Sequence, residues 1–184
     1  FLLKEQGMKK DTYIHMLNEI KSRPFLAKGI PFCNSIITKA IYITYPCLLI
    51  YLCSNSLMKE LSLDSFLSSD FLKAFFVPLI CFILLSLFRK ALNAPRPYEV
   101  FNAKPLIAKE TQGKSFPSRH VFSIFVIATT FYVCCPLPEF GIIIFALGIA
   151  LAILRVVSGV HFIKDVLAGA ILGILMPAIS FMLW

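Results

Sequence analysis

Two histidines with basic neighbours are the residues of this chain best suited to do chemistry. His161 lies four residues before Asp165, and His120 ends the run Ser-Phe-Pro-Ser-Arg-His. A carboxylate that holds one imidazole nitrogen fixes the tautomer and leaves the other nitrogen free to attack. This pattern predicts His161 as a nucleophile that forms a phosphohistidine, Asp165 as its partner, and His120 as the general acid and base. The remaining histidine, His15, matches no motif and is predicted to lie on the surface.

Arginines near these histidines are the second part of the pattern. The transition state of phosphoryl transfer spreads negative charge over the phosphoryl oxygens. Guanidinium groups suit it because they are always charged and can bind with two hydrogen bonds. Arg89, Arg96 and Arg155 are therefore predicted phosphate ligands. Lys90 is adjacent to Arg89 and could act in its place, so the sequence leaves these two alternatives open.

Ser118 and Arg119 come directly before His120, at the predicted start of an apolar helix. Backbone amides at a helix N-terminus point towards an anion, and a serine hydroxyl adds another donor. Both residues are therefore predicted to contact phosphate. The Arg119 side chain has two open roles, a phosphate contact or a contact with lipid head groups. A serine nucleophile would require an adjacent base, so the anion-binding role is favoured for Ser118.

These segments together resemble the signature of the type 2 phosphatidic acid phosphatase (PAP2) superfamily. That signature is Lys-x6-Arg-Pro, then Pro-Ser-Gly-His, then Ser-Arg-x5-His-x3-Asp. The chain carries the motifs in this order between residues 89 and 165. It departs from the signature at three positions, which are Arg89 in place of Lys, Arg119 in place of Gly, and Leu154 in place of Ser.

The resemblance implies a membrane-bound lipid phosphatase that needs no metal or other cofactor. It implies the same roles for the two histidines and a backbone amide contact at the position of Arg119. Expected substrates are a polyprenyl pyrophosphate, phosphatidic acid or phosphatidylglycerol phosphate. Two alternatives remain open, a lipid phosphotransferase and a non-enzymatic transporter of lipids or anions. A transporter is less favoured because the chain shows no symmetric internal repeats.

The composition indicates the environment in which these residues work. Hydrophobic residues make up 58% of the chain and the mean hydropathy is +0.81, values typical of integral membrane proteins. The net charge is +8, and the basic residues cluster beside apolar segments. Membrane lipids with anionic head groups are therefore the expected partners, and nucleic acid is not. The six cysteines include no Cys-x-x-Cys pair and are predicted to be small buried hydrophobic residues.

The apolar segments predict an all-α membrane bundle with about five transmembrane helices. A span needs ~20 residues to cross a hydrocarbon core of about 30 Å. The predicted spans cover residues 30–53, 70–88, 120–133, 139–158 and 163–184. Together they form a predicted transmembrane domain over residues 29–184, preceded by an interfacial segment over residues 1–28. The motif Gly169-x3-Gly173 in the last span predicts close packing against another helix.

The interfacial segment is predicted to contain an amphipathic helix that ends before Pro24. Its apolar stripe is assigned to Ile14, Leu17 and Ile20. With five spans, this helix shares one membrane face with every candidate site residue. The concentration of Lys and Arg on that face predicts a cytoplasmic site by the positive-inside rule. The resemblance instead implies an extracytoplasmic site in the plasma membrane, and we follow the resemblance.

Overall fold

The computed structural model of the chain describes residues 9–58, 69–108 and 111–184. All regular secondary structure within these ranges is helical, so the predicted all-α class is confirmed. The helices are α1 (Lys10–Ser22), α2 (Pro24–Met58), α3 (Asp70–Leu92), α4 (Pro97–Val100), α5 (Arg119–Cys134), α6 (Glu139–Val157) and α7 (Ile163–Leu183).

Four segments of the described chain are long and apolar enough to cross a membrane. They are Pro24–Ser56, Asp70–Val100, Glu139–Val157 and Ile163–Leu183. Residues on their outer surfaces, such as Ile50, Leu87, Ile142 and Leu167, are large, apolar and exposed. A bundle with an apolar exterior is stable in lipid, where the helices satisfy their own backbone hydrogen bonds. The protein is therefore an integral membrane protein.

Helix α5, the predicted third span, is the shortest apolar helix of the bundle. It has 16 residues, which at 1.5 Å per residue gives about 24 Å against the ~30 Å of a hydrocarbon core. Most of its side chains are buried, because α2, α3, α6 and α7 all contact it. Helix α5 is thus the enclosed centre of the bundle, and its N-terminus lies where the motif residues meet.

Two glycines allow α7 to approach α5, as the sequence predicted. A Cβ atom on Gly169 would lie 2.8 Å from the carbonyl oxygen of Ser118, and one on Gly173 would lie 2.7 Å from that of Phe122. Any larger side chain would collide with the α5 backbone. The two helices are therefore in backbone contact along the first turns of α5.

Helix α1 forms as predicted and ends at Ser22, but the assignment of its apolar stripe was wrong in one residue. Tyr13, Leu17 and Ile20 are buried, whereas Ile14 is only half-buried. Tyr13 takes the buried position because its hydroxyl donates a hydrogen bond to the Gly159 carbonyl oxygen at 3.0 Å. That bond turns Tyr13 towards the loop between α6 and α7.

The cysteine prediction is confirmed for Cys81 and Cys134 and wrong for Cys33 and Cys47. The first two are buried, and the latter two are exposed on α2. In a membrane bundle the outer surface is also apolar, so a small hydrophobic side chain is stable on either face of a helix.

Candidate active site

The predicted site residues converge at one end of the bundle. Helices α3 and α6 end there, and helices α5 and α7 begin there. Two loops complete this end, residues 111–118 before α5 and residues 158–162 between α6 and α7. The Ser118 amide donates to the Asp165 carbonyl oxygen at 2.8 Å, which ties the start of α5 to the start of α7.

Arg89 and Lys90 lie on different sides of α3. The sequence could not show which of the two side chains is buried. The Arg89 side chain is buried, whereas that of Lys90 is exposed. The Arg89 guanidinium donates to the carbonyl oxygens of Lys114 and Pro117 and contacts that of Ser115 at 3.5 Å. Arg89 therefore braces the loop before α5, and its predicted contact with phosphate stays a prediction.

Arg96 connects three parts of the site. Its Nε donates to the Gly113 carbonyl oxygen at 3.1 Å. Its Nη1 lies 3.4 Å from the Val160 carbonyl oxygen and 3.5 Å from Nε2 of His161. Glu99 holds the backbone of Arg96 next to that of Gly113, because its carboxylate accepts hydrogen bonds from the backbone amides of Arg96 at 3.0 Å and Gly113 at 2.9 Å. A buried guanidinium is thereby held beside the imidazole.

His161 lies in the loop immediately before α7. Its backbone amide donates to the Arg155 carbonyl oxygen at 3.3 Å, so the end of α6 holds it. Nδ1 of His161 lies 3.4 Å from Oδ2 of Asp165. The same oxygen accepts from the Phe162 amide at 3.0 Å and from the Ser115 hydroxyl at 2.5 Å. Asp165 thus caps the first turn of α7 while it faces the imidazole.

Burial lowers the pKa of His161 to about 4. The hydrogen bond with Asp165 raises the pKa, and the charges of Arg155 and Arg96 lower it, but the loss of hydration dominates. The ring is therefore neutral at physiological pH. A neutral imidazole has the lone pair that a nucleophile requires.

His120 is held by the third predicted arginine. Nη2 of Arg155 lies 2.6 Å from Nδ1 of His120, and Nη1 of Arg155 lies 3.4 Å from Oδ1 of Asn34 on α2. A guanidinium has donors only, so Nδ1 of His120 accepts this bond. The proton of the neutral ring is then on Nε2, from which it can be donated.

Ser118 and Arg119 differ sharply in their surroundings. Arg119 is exposed, whereas Ser118 is buried. Among the described residues, the Ser118 hydroxyl and Nε of Arg155 are buried donors without a hydrogen-bond partner, and Oδ1 of Asp165 is a buried acceptor without one. Buried polar groups are normally paired. The two donors match the oxygens of an anion.

Three residues that contribute to this geometry were missed from the sequence. Glu99 had a detectable signal, because it stands three residues after Arg96 at the start of a short helix, as in a capping box. Asn34 is a polar residue within an apolar segment, which is a weaker signal. Ser115 lies in the motif run and had no signal that separated it from other loop serines. His15 is exposed, as predicted.

No group of three or more His, Cys, Asp and Glu side chains suited to a metal ion occurs in residues 9–58, 69–108 and 111–184. The candidate site there combines two imidazoles, the Asp165 carboxylate and buried guanidinium and hydroxyl groups. This set can bind an anion, attack it and transfer a proton.

Comparisons with known proteins concern the family and the fold. The family model of the PAP2 superfamily matches residues 70–184, a segment that includes all nine predicted site residues. The fold is similar to the crystal structure of Aquifex aeolicus LpxE, with a TM-score of 0.69, 21% identity, and coverage of 98% of each chain. It is also similar to a transmembrane PAP2 type phosphatidylglycerolphosphate phosphatase from Bacillus subtilis, with a TM-score of 0.60, 21% identity, and coverage of 95% of this chain and 83% of that one. A comparison with curated proteins finds no match.

Proposed function

The chain belongs to the PAP2 superfamily, and from that premise we propose that it hydrolyses the terminal phosphate of a lipid phosphate through a phosphohistidine. The observation that carries the proposal is the contrast between the environments of the two imidazoles. Nε2 of His161 faces Arg96 at 3.5 Å, and Nδ1 of His120 faces Arg155 at 2.6 Å. The first ring thereby offers a lone pair and the second a proton.

In the first step, Nε2 of His161 attacks phosphorus. The N–P bond forms while the bond from phosphorus to the lipid oxygen breaks. Nε2 of His120 gives its proton to that leaving oxygen, which departs as an alcohol. The His120 ring then carries a negative charge, which the guanidinium of Arg155 at Nδ1 stabilises until the ring takes a proton from water. Asp165 stabilises the positive charge that the phosphorylated ring acquires.

In the second step, His120 takes a proton from water and the water oxygen attacks phosphorus. The N–P bond breaks, and its electron pair returns to Nε2 of His161. Inorganic phosphate leaves, and both rings regain their starting protonation. A lipid alcohol in place of water would make the same site a phosphotransferase.

Apart from Arg89, which braces the loop before α5, the predicted phosphate ligands divide into two groups in this proposal. Arg96, Arg155 and Ser118 lie buried around the imidazoles and contact the phosphoryl oxygens. Support comes from the unpartnered donors on Ser118 and Arg155. The exposed side chains of Lys90 and Arg119 are suited to the rest of the head group.

The position of the site at the end of an apolar bundle suits a lipid substrate, because the acyl chain can stay in the bilayer. The Bacillus subtilis neighbour is a phosphatidylglycerolphosphate phosphatase, and its activity supports the same substrate class. We place the site on the extracytoplasmic face of the plasma membrane. Phosphatidic acid, phosphatidylglycerol phosphate and a polyprenyl pyrophosphate are the substrates to compare first.

The test is phosphate release by detergent-purified protein from these three lipids in water enriched in ¹⁸O. Hydrolysis places one labelled oxygen in each released phosphate. Transfer to a lipid alcohol gives a new phospholipid without label. Absence of both products with all three lipids would contradict the proposal.

A further inference from the structure

The Ser115 hydroxyl lies between the two groups that define the proposed nucleophile. It donates to Oδ2 of Asp165 at 2.5 Å and lies 3.4 Å from Nδ1 of His161. The direct contact between His161 and Asp165 is also 3.4 Å. All three residues are buried, and Ser115 is fully enclosed. The shortest contact of the carboxylate is therefore with the serine and not with the imidazole.

Counting protons shows what this arrangement does to the ring. A serine hydroxyl has one proton, and the carboxylate can only accept, so the Ser115 proton is directed to Asp165. Towards His161 the serine oxygen then presents lone pairs. Both neighbours of Nδ1 are acceptors, and Nδ1 must carry the proton of the neutral ring.

The other ring nitrogen has the opposite environment. Nη1 of Arg96 lies 3.5 Å from Nε2 of His161, and a guanidinium cannot accept. The lone pair of the imidazole is thus on Nε2, the nitrogen that faces the proposed phosphate ligands. Ser115 and Arg96 select the same tautomer from opposite sides of the ring.

We propose that Ser115 is a positioning residue that carries the charge of Asp165 to His161, an inference that rests on the proposed function. During attack the Nε2–P bond forms, the bond to the lipid oxygen breaks, and His120 supplies the proton of the leaving group. His161 keeps its Nδ1 proton and Ser115 keeps its own. The serine stabilises the cationic ring through this hydrogen-bonded chain, without a bond to phosphorus.

The backbone of Ser115 has supports that do not depend on its hydroxyl. Its amide donates to the Ala94 carbonyl oxygen at 2.8 Å, and Arg89 contacts its carbonyl oxygen at 3.5 Å. Ser115→Ala is therefore expected to fold with the loop in place. Ser158→Ala is the matched control, because Ser158 is equally buried and its hydroxyl donates to the Arg155 carbonyl oxygen of the preceding helix, at 3.3 Å.

The first measurement is the kinetics of both variants with phosphatidic acid. Ser115→Ala is expected to lower kcat roughly 10- to 100-fold, the range of a hydrogen bond to a charged group, with KM within about twofold of wild type. Ser158→Ala is expected to keep wild-type kcat. Equal losses in the two variants would make the role of Ser115 merely structural and overturn the proposal.

The second measurement needs no substrate. ¹⁵N NMR of histidine-labelled protein reports the tautomer of each ring, and the chain has only three histidines to assign. We expect His161 protonated on Nδ1 in wild type and in Ser158→Ala, and a mixture of tautomers in Ser115→Ala. If wild type is active and Ser115→Ala changes only kcat, or only the tautomer of His161, the proposal is overturned. If wild type is inactive on every lipid phosphate, the proposed function is contradicted. The tautomer of His161 would then still show whether Ser115 accepts a hydrogen bond from Nδ1.

Discussion

At the scale of single residues, the two motif histidines differ in the partners that face them. His161 has acceptors at Nδ1 and a donor at Nε2, whereas His120 has a donor at Nδ1. Because Arg96 and Arg155 cannot accept hydrogen bonds, each arginine favours a proton on the other nitrogen of its histidine. At His161 the acceptors Ser115 and Asp165 favour the same tautomer. The same residue type thereby becomes a nucleophile at one position and a proton donor at the other.

Removal of the nucleophile is expected to abolish turnover and leave binding intact. His161→Ala should lower phosphate release by more than about 10³-fold, as is usual for residues that act as a unit in covalent catalysis. Affinity for the lipid phosphate should persist, since Arg96, Arg155 and Ser118 remain. His15→Ala, which changes an exposed histidine on α1, is the control. Retention of more than about a tenth of wild-type activity in His161→Ala would rule out the nucleophile assignment.

The buried neutral ring of His161 should make stability depend on pH. Its pKa is about 4 in the folded protein, against 6.5 for an unperturbed imidazole. Between these values the unfolded chain binds the additional proton, so stability is lost as pH falls from 6.5 towards 4. The melting temperature of wild type in detergent should therefore fall more over this interval than that of His161→Asn. Parallel pH profiles for the two proteins would contradict a buried neutral His161.

At the scale of helices, the contact between α5 and α7 sets the geometry of the site. Gly169→Ala places a Cβ atom 2.8 Å from the Ser118 carbonyl oxygen and should force the two helices apart. A loss of about 1–3 kcal/mol is expected from overpacking, together with a lower kcat because Ser118 and Asp165 separate. Gly29→Ala on α2 is the control, since its Cβ meets no atom within 4 Å. Melting temperature and phosphate release check both variants, and equal behaviour would contradict the close contact.

Helices were predictable from sequence where hydropathy alone determines them. The four longest apolar segments and the amphipathic α1 lie near the predicted positions, but α2 (Pro24–Met58) extends beyond the predicted span of residues 30–53 at both ends. The orientation of side chains was less predictable, because it depends on neighbouring helices. Arg89 and Lys90 are adjacent, and only the packing of α3 shows which one is buried. Likewise, Ile14 was assigned to the apolar stripe of α1 and Tyr13 was not. The hydrogen-bond partner of the Tyr13 hydroxyl lies 146 residues away in the sequence.

The candidate site was predictable to the extent that it follows sequence motifs. Its nine residues lie on the loops and helix ends that meet at one end of the bundle. Two of the residues that hold them, Ser115 and Asn34, were not predictable, because they act through contacts between distant segments. No periodicity or spacing reports such contacts before the chain folds. Glu99 differs from them, because its spacing from Arg96 is that of a capping box.

At the scale of the whole molecule, α1 joins the catalytic end of the bundle. Tyr13 bonds to Gly159 and packs against Phe101, with ring centroids 5.1 Å apart. Nζ of Lys21 donates to the Lys104 carbonyl oxygen at 2.8 Å. These contacts place α1 beside the His161 loop independently of any count of spans.

The placement of α1 at the catalytic end has two testable consequences, one for the membrane topology of the chain and one for its kinetics. We expect cysteines introduced in a cysteine-free background at Asp11 on α1 and Gln112 before α5 to react with an impermeant maleimide from the same side of the membrane. A cysteine at Leu137, in the loop between α5 and α6 at the opposite end of α5, should be protected from that side. Asp11 and Leu137 reacting together, with Gln112 protected, would contradict the placement of α1.

Deletion of residues 1–22 then tests whether α1 supports the loop that holds His161. Gly159 has a φ of +75° and lies in the loop that holds His161. Without Tyr13 and Leu17, it loses the side chains that pack against it. We expect kcat/KM to fall at least about tenfold, which corresponds to about 1.4 kcal/mol and to the loss of one buried hydrogen bond. Tyr13→Phe should reproduce part of the loss, because it removes the hydrogen bond and keeps the ring against Phe101. Unchanged kinetics in the deletion variant would leave α1 as a helix that shares the catalytic face without supporting the site.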